Sequence, residues 1–88
     1  MTAPALVLPQ ISINGTDRKD LIAQQAAIVT ALCQLERRME AAAPHGRDYQ
    51  HRPEEFERAR IAWRARMMRV DALKDEITAH AMRIADLD

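Results

Sequence analysis

Residues 53–87 read PEEFERARIAWRARMMRVDALKDEITAHAMRIADL, and within them Phe56, Trp63, Val70, Ile77 and Ile84 recur at strict intervals of seven. Three residues beyond each lie Ala59, Arg66, Leu73, His80 and Leu87. One register kept over five heptads is a coiled-coil signature rather than the drifting stripe of an ordinary surface helix. Pro53 suits the first turn of a helix, and Glu54 and Glu55 suit the positive end of its dipole. The segment therefore predicts a helix over residues 53–87, about 50 Å long at 1.5 Å per residue.

Upstream, Leu21, Ile22, Ile28, Val29, Leu32, Leu35 and Met39 recur at helical spacings. Asn14-Gly15 marks a turn before them, and Thr16 or Asp17 can cap. This predicts a first helix over residues 16–43. The loop, residues 44–52, contains Pro44, which pushes Ala43 off helical dihedrals, and Gly46, expected to take a left-handed turn. So short a connection folds the two helices into an antiparallel, coiled-coil-like hairpin. Residues 1–15 do not fit a helix: Pro4 and Pro9 interrupt Leu6, Val7, Leu8 and Ile11, which predicts an extended arm or short strand. The fold class is all-α, a two-helix hairpin with an N-terminal arm.

The longer helix carries a second apolar row. Ile61, Ala65, Met68, Ala72, Ala79 and Met82 lie about 140° or more around the axis from the Phe56–Ile84 seam. Arg58, Arg66 and Arg69 flank one side of the two rows, Arg60 and Arg64 the other. One partner helix cannot cover two faces, and two helices alone make a thin core. Completion by a second copy or by docking on a larger protein follows. Ile61, Ala65, Met68, Ala72 and Met82 are the expected interface on the helix, and Leu6, Val7, Leu8 and Ile11 the expected docking arm. The plainer alternative is that the alanines only favour helix and the methionines are scattered surface residues.

Composition narrows the chemistry. With 88 residues there is one small domain, and 13 basic against 13 acidic residues remove any global pull toward nucleic acid or membrane. The lone Cys33 excludes a disulfide scaffold and reads as a small, partly buried apolar residue. Apolar runs are too short to span a membrane, and the N-terminus lacks the basic start of a signal peptide. His45, Asp48, Tyr49 and His51 crowd the loop, but a short loop gives metal ligands or acid–base groups little support. Tyr49 folded over the hairpin end, with Arg47 and Asp48 paired or capping, is the simpler reading. His80 lies on the seam, and Arg66 is expected to pair with Glu36 or Glu40 of the facing helix. No cofactor, metal or catalytic group is called for.

Five arginines and no acid occupy residues 58–69. Arg58, Arg60, Arg64 and Arg69 could contact phosphates, but they divide between two flanks instead of forming one stripe. Borders around an apolar interface are the better account.

The segments Ile13-Asn14-Gly15-Thr16, Leu21-Ile22-Ala23-Gln24 and Ala42-Ala43-Pro44-His45-Gly46-Arg47-Asp48-Tyr49 resemble those of small proteins encoded by tailed bacteriophages and prophages of proteobacteria. These share an NGT turn before the first helix and an AAP-x-GRDYY-like loop before the second. The resemblance covers most of the chain from residue 11, and Gln50 stands where relatives often have a second tyrosine. It implies a phage context and a helical hairpin. The expected function is a non-enzymatic interaction protein of the virion or host cytoplasm, structural or assembling, with itself or a larger phage or host protein as partner. An anti-CRISPR-like inhibitor of a host defence enzyme and a nucleic-acid binder are the alternatives.

Overall fold

The computed structural model describes residues 4–9 and 17–87. Helix α1 runs Arg18–Ala41 and helix α2 runs Pro53–Ala85, and they pack against each other as a hairpin. A single 3-10 turn, Gly46–Tyr49, interrupts the connection. The all-helical hairpin expected from the heptads is present. Residues 4–9 adopt neither helix nor strand, while Ile11, the Asn14-Gly15 turn and Thr16 lie outside the described residues.

Both helices stop short of their expected ends. Asp17 is the N-cap of α1, its carboxylate accepting from the Lys19 amide at 3.4 Å, so the helix begins at Arg18. At the other end, Ala42 and Ala43 donate to Arg38 and Glu40 and close the last turn. Pro53 opens α2 with Glu54 and Glu55 behind it.

The inward stripe of α1 steps alternately by four and three, through Arg18, Ile22, Gln25, Val29, Leu32, Glu36 and Met39, all half-buried. Ile28 and Leu35, expected inside from their hydropathy, are exposed. On α2 the Phe56–Trp63–Val70–Ile77–Ile84 row faces inward as expected. Its companion row is different. After Ala59 it continues through Met67, Lys74 and Ala81, leaving Arg66 and Leu73 in solvent, while His80 stays half-buried at the edge. A position four residues on lies about 40° to one side of its parent, and one three residues on lies about 60° to the other. The facing helix lies on the first side. What α1 presents there is Glu36, whose carboxylate takes the Lys74 ammonium at 2.7 Å.

Trp63 reaches Met39, so α1 ends near the level of that indole and residues 53–62 of α2 extend past it. The loop folds back on this extension. The Tyr49 and Phe56 rings lie 5.8 Å apart, as expected of a tyrosine closing the hairpin end. Gly46 does not take a left-handed conformation. It begins the 3-10 turn with its Cα facing the Phe56 ring. Nor do Arg47 and Asp48 pair or cap: the cap of this turn is His45, whose Nδ1 accepts from the Arg47 amide at 3.2 Å.

Candidate interaction surface

The hairpin hides little of itself. Among the described residues only Ile77 and Ile84 are buried. The chain exposes 7340 Å², against about 5,200 Å² for a compact monomer of 10.0 kDa. Its long axis is 63 Å, and its radius of gyration is 18.3 Å where about 12 Å is usual for this length.

The outward face of α2 is part of that exposed surface. Ile61, Met68 and Met82 are each more than 60 % exposed, and Ala65, Ala72 and Ala79 are exposed beside them. The expected second row thus lies opposite the seam and in water. Asp75 belongs to it, falling seven residues from both Met68 and Met82, a periodicity that a search for apolar residues passes over. Counted with Asp75, the face is a second heptad. Ile61, Met68, Asp75 and Met82 form its bulky row, and Ala65, Ala72 and Ala79 form its small one.

Shallow grooves run beside this face. One joins Pro44 and Phe56 to Ile61, Arg64 and Met67. The next joins Glu36 to Met68, Asp71 and Asp75. Of the expected arm, Leu6 and Val7 are exposed and Leu8 is half-buried. Pro4, Ala5 and Leu6 line an open groove with Glu76, Ala79, His80 and Arg83, near the C-terminal end of this face.

No family model, curated protein or solved structure matches the chain.

The charges around the face are unevenly satisfied. Arg58 pairs with Glu55 at 3.5 Å and Arg60 with Glu57 at 3.0 Å, both one helical turn away and well exposed. Arg60 also lies 5.8 Å from the centre of the Phe56 ring. Arg64 and Arg69 have no acidic partner among the described residues, and neither do Asp75 and Glu76. Arg66 does not reach Glu36 or Glu40: its guanidinium returns to the Ala62 carbonyl of its own helix at 3.0 Å. Lys74 takes Glu36 instead and also lies 3.5 Å from Asp71. The hydrogen bond from Lys74 to Glu36 holds the ammonium above its ordinary pKa, against the opposing pull of desolvation.

Cys33 is a free, half-buried thiol on α1. Among the described residues no group of three or more His, Cys, Asp or Glu is placed to hold a metal ion, the His45–His51 loop included. No described helix is long and apolar enough to cross a membrane.

Proposed function

We propose that this chain is a small non-enzymatic interaction protein, a structural or assembly component that works by helical packing and an N-terminal docking arm. One observation carries the reading. The longer helix bears two heptad faces, and folding of the single chain covers only one of them. Methionine and isoleucine left in water along a helix contribute nothing to the stability of the monomer, and each contributes about 1.5–3 kcal/mol once buried. An exposed row of this kind, edged by arginines and acids, is the pattern of a docking surface. The phage resemblance of the turn and loop sequences supports a role in the virion or in the infected host's cytoplasm.

The arginines support this reading over direct contact with nucleic acid. Arg58 and Arg60 are already paired, and Arg64 and Arg69 lie on opposite sides of the outer row, where no single phosphate backbone follows both. The test is recovery of the chain from infected cells and from purified particles. An assembly component is present in particles in fixed ratio and is lost from them on Met68→Glu. Absence from every phage complex, with capture on a host enzyme instead, would replace this reading by the inhibitor one.

A further inference from the structure

We infer that the outer face of α2 takes the same face of a second copy, with the two α2 helices antiparallel. This rests on the interaction reading above and names its partner.

Two independent features choose that occupant and direction. The first is shape. The face has a bulky row and an alanine row side by side. In an antiparallel pair the two rows exchange, so that Ile61, Met68 and Asp75 each meet an alanine of the other helix and Met82 comes level with Arg58. In a parallel, in-register pair like meets like: Met68 meets Met68, Asp75 meets Asp75, and alanine faces alanine across a gap.

Charge is the second. Residues 58–69 hold five arginines and no acid, whereas Asp71, Asp75 and Glu76 lie in the half that follows, where Lys74 is engaged with Glu36. An arginine-rich stretch followed by an acidic one repels a parallel copy and attracts an antiparallel one. The side chains without partners fall into place. With the two-fold axis near the level of Val70, Met68 lies over Ala72 and Ile61 over Ala79. Arg64 comes level with Asp75 of the second copy, and Arg69 lies on the same flank as its Glu76. A lone Asp75 in an apolar row is costly against a hydrophobic partner and tolerable beside an arginine.

Leu6 of the arm lines a groove with Ala79, at the edge where Ile61 of the second copy would sit.

The test is sedimentation equilibrium followed by oxidation of single-cysteine variants in a Cys33→Ser background. The expected mass is twice 10.0 kDa. A mixture of Met68→Cys and Ala72→Cys chains should form disulfide-linked mixed dimers faster than either variant alone. Met68→Glu should keep its helical signal and weaken association roughly 100-fold or more, since it sets a carboxylate in an apolar layer. Faster self-linking of Met68→Cys than of the mixture would overturn the antiparallel pairing, and so would a dimer with no link at these positions. A chain that stays monomeric overturns self-docking. If that monomer also unfolds cooperatively with its outer row in water, the interaction reading fails with it.

Discussion

The indole Nε1 of Trp63 donates to the main-chain carbonyl of Met39 at 2.9 Å, and by doing so one helix caps the other. The last carbonyls of a helix have no intrahelical donor. At this end the Ala43 amide turns to Glu40, and the indole of α2 serves Met39. Trp63 therefore acts both as a member of the heptad seam and as the stop of α1. Trp63→Phe keeps most of the packing and removes the donor, so it should destabilise by about 1 kcal/mol, the net worth of one such bond. Trp63→Ala should cost about 3–5 kcal/mol. Urea denaturation of both variants, with amide exchange near residue 43 as the local readout, checks the assignment. A Trp63→Phe variant as stable as the parent would mean that the indole N–H contributes nothing.

Lys74 and Glu36 form a charged pair across a seam that is mostly apolar on the α2 side. Because the bond to Glu36 raises the folded-state pKa of Lys74 above its ordinary 10.5, the contribution of the ammonium is fully present below that value. It is lost as pH rises through the higher folded-state pKa. The difference in melting temperature between the parent and Lys74→Met should therefore stay flat through neutral pH and shrink only in strong alkali. A difference that already closes below pH 9 contradicts the raised pKa. Such a pair specifies more than it stabilises, so Glu36→Leu with Lys74→Leu should restore much of what either single change loses.

The same pair explains how far the sequence could be read. Five residues at sevenfold spacing sufficed for α2, the hairpin and the inner seam, because a sustained heptad has one helical interpretation. The side of that seam on which α1 lies was not legible. Arg66 and Leu73 on one side, and Met67 and Lys74 on the other, are each one polar and one apolar residue, so hydropathy is balanced. The choice rests on Glu36 across the gap. Ile28 and Leu35 misled for the same reason: hydropathy favoured them over Gln25 and Glu36, which hold the inward positions of α1. The outer row was legible throughout, except that Asp75 is its polar member.

Met67 and Arg66 are consequently a sharp pair of tests. Met67→Asp buries a carboxylate in the seam and should destabilise by about 2–3 kcal/mol. Arg66→Asp changes an exposed side chain whose bond is to its own helix and should fall within about 0.5 kcal/mol. Thermal melts suffice, and the reverse order would place α1 on the other side of the Trp63–Val70 seam.

Gly46 offers a case where a glycine is not needed for its backbone. Its φ is not positive, and a Cβ there would meet the Phe56 ring at 3.6 and 3.7 Å, ordinary packing distances. Gly46→Ala should leave the 3-10 turn intact and stabilise the chain by about 0.4–1 kcal/mol, through the lower entropy of the unfolded state. A loss of stability on differential scanning calorimetry would show that the turn depends on the missing side chain.

The alanines of the outer row separate a docking face from a merely helix-favouring surface. Leucine is nearly as good a helix former as alanine and far more apolar. If Ala72 is only a surface residue, Ala72→Leu should leave association unchanged or strengthen it by adding greasy area. If Ala72 is the small partner that receives Met68 of a second copy, the added branch overfills the layer, a change that typically costs about 1–3 kcal/mol. Association should then weaken by roughly tenfold to a hundredfold, although the surface has become more hydrophobic. The helical content of the chain stays as it was, because Ala72 is exposed and leucine is nearly as good a helix former. Combining Ala72→Leu with Met68→Ala returns volume to the same layer and should recover binding. A single-site loss without that recovery would mean the two side chains do not meet.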